Sequence, residues 1–495
     1  MELISGVSLG VLHFFTLDNI LLCFAGVFIG TFVGVLPGLG SLATLSILLP
    51  ITFYISSPLS SIVFLAGVYY GSQYGGSVSS ILMNLPGEPS SVITTIDGYP
   101  MTKNNQAGSA LSISVIGSFI AGTISTFLII ILGGWIAKVS LIFGPVEYTM
   151  FMIMCLLLSI IFANNNNFYK SLGVVCIGIL LGLIGVDNNS GQERFTFGLI
   201  DLYDGLQIAI IAMGVFGLGE ILYNFFHAKT SLKIPHIQKI YPDRSDINKS
   251  IRPILRGTFI GSILGFLPGI GPLITSYISY YAEKYFSKTP EKFGKGAIEG
   301  VASPESANNA ASQTNFVPTL ALGIPTTPAM SIILAVLIIN GIAVGPTLVQ
   351  NNSEIFWGLI VSMWVGNLFL LILNLPLIGI WISILKIPQK MLFSFIVITC
   401  FFGAYIISNN LFGFYILIFS AILGYILKFL DCDLSPLVIG FLIGRLFEEY
   451  FRKSLMLSDG SLMIFIDKPI SFSIIILTMI FISIKLWLYT KSISK

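Results

Sequence analysis

Residues 34–41 read Gly-Val-Leu-Pro-Gly-Leu-Gly-Ser, and residues 265–272 read Gly-Phe-Leu-Pro-Gly-Ile-Gly-Pro. One short phrase stands twice in an apolar chain. Each copy is followed by a second proline break, Asn84-Leu85-Pro86-Gly87-Glu88-Pro89 after the first and Gly323-Ile324-Pro325-Thr326-Thr327-Pro328 after the second. Pro37 and Pro86 are 49 residues apart, and Pro268 and Pro325 are 57 apart. Two breaks in the same order at similar spacing indicate an internal duplication. In a membrane protein, interrupted helices at matching positions of two halves point to a transport site.

The membrane class follows from composition. Of 495 residues, 55% are hydrophobic and 10% charged, and mean hydropathy is +0.91. Soluble domains carry about 25% charged residues. Apolar stretches recur around 171–186, 354–385, 391–407 and 470–484. A spanning helix takes roughly 20 apolar residues, so the chain has room for about 10–13 transmembrane segments. The expected fold is an all-α polytopic membrane protein. A net charge of +2 is no footprint for nucleic acid. No Lys or Arg precedes the first apolar run, so a cleaved secretory signal is not expected. The cysteines, Cys23, Cys155, Cys176, Cys400 and Cys432, are scattered. They read as packed thiols, not as a disulfide framework or a metal site.

Lys and Arg mark cytoplasmic loops. The richest polar stretch is 226–256, with Lys229, Lys233, Lys239, Arg244, Lys249, Arg252 and Arg256. It reads as a cytoplasmic linker between a first transmembrane repeat, 1–225, and a second repeat with C-terminal helices, 257–495. Residues 283–299, with Lys284, Lys288, Lys292 and Lys295, read as cytoplasmic too. Segment 257–282 lies between these basic loops and carries Pro268-Gly269-Ile270-Gly271 in its middle. With both ends on one side, it must enter and return as a re-entrant hairpin. Each arm of about 12 residues reaches about 18 Å, past the midplane of a ~30 Å core. The matching segment 20–56 has no basic flank, which puts its ends outside. Opposite sidedness makes the halves inverted repeats, each with a re-entrant hairpin and a broken helix. A broken single span is the competing reading.

The second breaks close polar stripes. Gln73, Ser77, Ser80 and Asn84 recur on one helix face. Glu305, Asn308, Asn309, Ser312, Gln313 and Thr319 form the second stripe. Lipid penalises such groups, so they should face protein or a water-filled cavity. Proline breaks free backbone N–H and C=O groups at depth, where a ligand or ion can satisfy them. Glycines at a hairpin tip let the backbone approach a ligand closely, and a helix start favours an anion. The expected substrate-binding residues are therefore Gly38, Gly40, Ser41, Asn84, Gly87, Ser90, Gly269, Gly271, Gly323, Thr326 and Thr327. Thr44, Ser91, Thr275 and Ser276 stand near them. Asn84, Asn308 and Asn309 are candidates for cation-side oxygens, with Na⁺ or H⁺ as coupling ion and no other cofactor. These hydroxyls and amides suit a small oxyanion such as a carboxylate.

Each feature also has a plainer reading. Pro-Gly breaks can be kinks, and polar stripes can be interhelical hydrogen-bond glue. Glu88 and Glu305 read equally as site acids or as paired helix-end groups. Asp97 reads as a turn or cap residue. His13, His227 and His236 are isolated. Gly30–Gly34, Gly261–Gly265 and Gly440–Gly444 read as close helix contacts. No Gly-x-x-x-x-Gly-Lys-[Ser/Thr], His-Glu-x-x-His or Cys-x-x-Cys appears, so neither a nucleotide-hydrolysing loop nor a motif metal site is built in.

The motifs together resemble the large membrane subunit (TctA-type) of tripartite tricarboxylate transporters. The resemblance rests on Gly34–Gly40, Tyr74-Gly75-Gly76-Ser77 through Pro89, Asp97-Gly98-Tyr99-Pro100, Gly191-Gln192-Glu193-Arg194-Phe195-Thr196-Phe197-Gly198, Leu267–Gly271, Ser303-Pro304-Glu305-Ser306-Ala307-Asn308-Asn309-Ala310 and Leu322–Pro325. It implies a multi-pass permease of the bacterial inner membrane, working with a periplasmic solute-binding protein and a small four-helix membrane subunit. It further implies import of citrate or related carboxylates with Na⁺ or H⁺. Thr326-Thr327 stands where the family usually has Gly-Ser, and Ser306 stands where Ala is usual. The reading is a secondary transport subunit for di- or tricarboxylates and not an enzyme. A stand-alone permease for another small solute, a membrane-embedded enzyme and a channel are the alternatives.

Overall fold

In the computed structural model, residues 2–36, 40–140, 142–161, 163, 167–187, 190–219, 222, 223, 226, 241–267, 270–385 and 389–493 are described. Most of the linker therefore lies outside the described residues, as do Gly38 and Gly269. The described chain is helical almost throughout. Its β structure is one ribbon, Gly185–Val186 paired antiparallel with Glu193–Arg194. Arg194 ties that ribbon down, bonding Asp187 at 2.8 Å and Glu448 at 2.7 Å.

Among the described residues, four helices are long and apolar enough to cross a membrane, Leu17–Val35, Ala107–Leu132, Ser353–Asn374 and Phe412–Phe429, and eight shorter apolar helices accompany them. The chain is a multi-pass membrane protein.

After an N-terminal helix, Glu2–Phe14, each half carries three helices in the same order. In the first half these are a lead helix, Leu17–Val35, a return helix, Gly40–Leu48, and a polar helix, Pro58–Met83. In the second they are Arg244–Gly265, Pro272–Phe286 and Glu299–Thr314, the last continued by Phe316–Leu322. Local chemistry sets the boundaries. The Thr16 hydroxyl accepts from Asn19 N–H at the start of the first lead helix, an N-cap. Its end at Val35 precedes Pro37, which disfavours helical backbone before it. Pro58 and Pro272 occupy first-turn positions of their helices, where a missing N–H costs nothing.

The lead helix lies against the polar helix backbone to backbone. A Cβ at Gly30 would lie 2.2 Å from the Val68 carbonyl oxygen, and one at Gly71 would lie 2.4 Å from that of Val27. The second half repeats the contact, with Gly257 and Gly261 against the Ser303 and Ala307 carbonyls at 2.2 and 2.3 Å. Small residues permit this approach, and without a hydrophobic force between helices in lipid, such close packing is what holds them. The opposite faces of the lead helices are apolar and exposed: Leu17, Leu21, Phe24 and Phe28 in one half, Ile251, Leu255, Phe259 and Ile263 in the other. Lipid is the solvent for which such stripes fit. The polar helices form the core, with residues 59–82 and 301–320 buried without interruption. That placement resolves the expected penalty, since both stripes are buried in protein except at Asn84, which is exposed.

Cys23, Cys155 and Cys400 are buried free thiols, whereas Cys176 is exposed and Cys432 half-buried. Asp97 lies in the first turn of Thr95–Lys103 but serves another element. Its Oδ1 accepts from the N–H groups of Gly294, Gly296 and Ala297, each at 2.8 Å, and its Oδ2 accepts from the Tyr280 hydroxyl at 2.8 Å. It caps the approach to the second polar helix and joins the halves.

Candidate functional site

Both polar helices end the same way. Asn84 closes Pro58–Met83 at φ 57°, and Gly323 closes Phe316–Leu322 at φ 68°. Both are left-handed C-caps, the conformation that Asn and Gly adopt most readily. Each lies two residues before the proline of its break. The chain then folds back, so that the break meets the start of the return helix of its own half. A Cβ at Gly40 would lie 3.5 Å from Glu88 Oε2, and one at Gly271 would lie 3.0 Å from Thr327 Cγ2. Gly40 and Gly271 are equivalent in the repeated phrase, and Glu88 and Thr327 are equivalent in Pro-Gly-Glu-Pro and Pro-Thr-Thr-Pro. The two breaks thus make equivalent contacts with their own return helices.

The halves differ at this contact. The Glu88 carboxylate accepts from Ser41 N–H at 2.6 Å and from the Ser41 hydroxyl at 2.6 Å, sealing the start of the first return helix with negative charge. In the second half the return helix starts at Gly271 with no side-chain cap. Thr327 is turned to its own helix, Pro328–Ile339, where its hydroxyl accepts from Met330 N–H.

Between these ends lies a cavity of about 210 Å³. Its wall includes Ser41, Glu88 and Ser90 from the first half and Gly271, Thr326 and Thr327 from the second. Tyr69 and Gln73 line it from the first polar helix, and the Ser90 hydroxyl donates to Gln73 Oε1 at 2.7 Å. Asp433 and Ser435 close it from the start of Ser435–Leu457. Among the described residues, no Lys, Arg or His lines it. A larger cavity, about 530 Å³, is walled mainly by apolar residues such as Phe53, Leu334, Ile338 and Phe441 and touches neither break.

Five of the eleven expected substrate-binding residues, Ser41, Ser90, Gly271, Thr326 and Thr327, therefore share one cavity wall with Glu88 and Gln73, which sequence also singled out. Gly40 lies directly behind Ser41 and Glu88. Gly87 is buried where the break crosses the first lead helix, its Cβ direction filled by the Gly34 carbonyl at 1.9 Å. Asn84 is exposed and Gly323 packs toward Gly345, both off the cavity wall. Asn309 donates to the Ser118 hydroxyl at 2.7 Å and to the Glu305 carbonyl at 3.1 Å. Asn308 is buried with both side-chain polar atoms unpartnered. Tyr69, Asp433 and Ser435 were not singled out from sequence. Tyr69 lies one turn before Gln73, so extending the stripe by four residues finds it. Asp433 and Ser435 lie among the C-terminal helices, away from both repeated breaks, and carry no such signal.

The family model described as "Tripartite tricarboxylate transporter TctA family" matches residues 20–439. The chain is 47% identical over 476 residues to an uncharacterized 52.8 kDa protein in the TAR-I ttuC' 3'region of Agrobacterium vitis, covering 96% of this chain and 94% of that protein. It is 51% identical over 193 residues to an uncharacterized protein in the TAR-II ttuC' 3'region of the same organism, covering 39% of this chain and 80% of that protein. No solved structure matches. With a family match over most of its length and a relative of nearly full coverage, the chain belongs to the tripartite tricarboxylate transporter TctA family, a family of transporter components.

Proposed function

We propose that this chain is the permease subunit of a secondary transporter importing small organic anions, di- or tricarboxylates, on a Na⁺ or H⁺ gradient. In this reading it receives substrate from a periplasmic binding protein and works beside a small four-helix membrane subunit in a bacterial inner membrane. The lead and return helices of each half form a re-entrant hairpin, and the halves are inverted repeats.

The observation that carries the reading is the cavity shared by both proline breaks. Its 210 Å³ is many times the roughly 10–15 Å³ that one water needs, a volume for a small solute. The second return helix presents an unsealed start to it. A substrate carboxylate there stands near the place that Glu88 takes in the other half; Pro272, the counterpart of Ser41, has no N–H to donate, so the helix dipole is what favours the anion. With Glu88 and Asp433 in the wall and no basic side chain among the described residues, an anion's charge is offset by dipoles and a co-bound cation. Binding of the two is then reciprocal. Among Asn84, Asn308 and Asn309, Asn308 has the free buried oxygen.

The test is uptake of labelled citrate and succinate into proteoliposomes holding the chain and both partner proteins. Accumulation should collapse when Na⁺ and H⁺ gradients are both removed. Accumulation that persists without either gradient, or no uptake of either acid under any gradient, contradicts the reading.

A further inference from the structure

Five carboxyl side chains are buried among the described residues: Glu88, Asp97, Glu147, Glu283 and Glu305. Four are furnished for a fixed negative charge. Glu88 seals a helix start through Ser41 N–H. Asp97 collects three backbone N–H groups and a phenol. Glu147 accepts from Gly144 N–H at 2.9 Å. Glu283 is forked by the Arg256 guanidinium at 2.8 and 2.5 Å.

Glu305 is different. It is 1% exposed in the second polar helix, and its bonded side-chain partners are hydroxyls, Ser77 at 2.5 Å and Thr94. Ser114 stands near by. Among the described residues, no cation and no backbone N–H reaches the carboxyl. Burying an unpaired charge is strongly unfavourable. A hydroxyl can donate to a carboxylate or accept from a carboxylic acid, so this shell serves the charged and the neutral form alike. Ser77 and Thr94 belong to the first half and Glu305 to the second, which puts the group on the seam where the halves must move.

The ionisable groups on the elements packed around this helix are engaged elsewhere. From the second lead and return helices, Arg256 and Glu283 hold each other. Arg244, Lys249 and Arg252 are exposed, and Lys284 lies in the last turn of its helix. Tyr277 and Tyr280 pack with Phe293 beside Asp97. Lys103 is exposed, and it lies over the Tyr99 ring. On the first polar helix, Tyr74 donates to Asn367 at 2.8 Å, and the rings of Tyr69 and Tyr70 pack on Phe316. Glu88 is held at Ser41. Glu299 opens the same helix as Glu305, about 9 Å away along its axis at 1.5 Å per residue.

A polar stripe leads from Glu305 to the cavity. Glu305, Asn308, Ser312 and Asn315 recur at three- and four-residue spacing, on one helix face. Asn308 and Asn315 are buried with both side-chain polar atoms unpartnered. At the far end the Thr326 hydroxyl, in the cavity wall, donates to the Asn315 carbonyl, and the Tyr69 hydroxyl lies beside Ser312, Asn315 and Thr327. The run from Glu305 to Asn315 is about 15 Å at 1.5 Å per residue.

We propose that Glu305 is the proton-binding residue of the transport cycle: its carboxylate takes up a proton from one side and releases it to the other, so the coupling ion is H⁺. The proposal rests on the carboxylate-transport reading above. No covalent bond other than the O–H bond forms or breaks.

The test compares the native chain with Glu305→Gln, a permanently neutral mimic, and with Glu305→Asp, all in proteoliposomes with both partner proteins. The probes are labelled citrate and succinate, read as pH-driven accumulation and as equilibrium exchange. In Glu305→Gln the ratio of accumulation to exchange should fall roughly tenfold or more, within the usual span of coupling factors. Glu305→Asp should restore part of it. Independently of substrate, the infrared band of a protonated carboxyl should be present in the detergent-purified native chain and missing from Glu305→Gln. A Glu305→Gln chain that still accumulates substrate on a pH gradient overturns the proposal. So does an accumulation driven by Na⁺ alone and indifferent to pH, or a protonated-carboxyl band that Glu305→Gln leaves in place. A Glu305-dependent band in a native chain that moves neither acid supports the protonation site and overturns the carboxylate reading instead.

Discussion

The Glu88 carboxylate holds Ser41 twice, through the backbone N–H and through the hydroxyl, each at 2.6 Å across 47 residues of sequence. The chain thereby places its own carboxylate at the start of the first return helix. Removing it leaves a buried helix start unsealed. Glu88→Ala should lower stability by about 0.5–2 kcal/mol, the usual cost of losing a helix N-cap. Glu88→Gln, which keeps an acceptor, should cost less. Thermal unfolding of the detergent-purified proteins measures both, and equal stability of Glu88→Ala and the native chain contradicts the capping role.

The second half offers the reverse experiment. Thr327 occupies the position of Glu88 but carries no charge. Thr327→Glu should let the chain's own carboxylate reach the second return helix and compete with substrate. Citrate and succinate uptake should be abolished, while Thr327→Ser, which keeps the hydroxyl that accepts from Met330 N–H, should retain it. Native uptake by Thr327→Glu would show that no substrate carboxylate binds at that helix start.

Asp97 satisfies three backbone N–H groups and one hydroxyl. Each buried donor left unsatisfied costs about 1–3 kcal/mol. Asp97→Ala should therefore be severely destabilising, Asp97→Asn milder because one acceptor oxygen remains, and Tyr280→Phe mildest because one bond is lost. Unfolding midpoints should follow that order. A Tyr280→Phe change as damaging as Asp97→Ala would place the weight on the phenol.

The glycine seams should fail differently from the cavity. Gly71→Leu drives a side chain into the Val27 carbonyl, 2.4 Å from the first added carbon. Both backbones are rigid there, so the helices must separate. The expected result is loss of folded protein on size-exclusion chromatography. Ser90→Ala, by contrast, should fold normally and lose substrate affinity.

The repeated phrase, the second breaks and the buried polar stripes were legible because proline, glycine and helical spacing act locally. The same local chemistry explains why Asn84 and Gly323 drew notice: each is needed as a left-handed cap, and capping puts them at a helix end and off the cavity wall. Asn308 and Asn309 read alike in sequence, yet neighbouring residues of a helix face different ways, and Asn309 meets Ser118. Whether Glu88 was a site acid or a cap depended on Ser41, and no local pattern carries that pairing. Asp433 reaches the cavity from just before the helix Ser435–Leu457, far in sequence from both breaks, so its place is a matter of tertiary packing alone.

The central claim, that the shared cavity binds an organic anion, is tested most directly by thiol protection. Ser90→Cys and Thr327→Cys, on walls from opposite halves, are introduced separately into a chain whose five native cysteines are replaced. Alkylation by a small maleimide is followed with citrate, succinate, glycerol or choline present. The account predicts that at least one of the two acids slows labelling at both positions, while glycerol and choline do not. Labelling unaffected by either acid, or slowed equally by the neutral or the cationic solute, would contradict it.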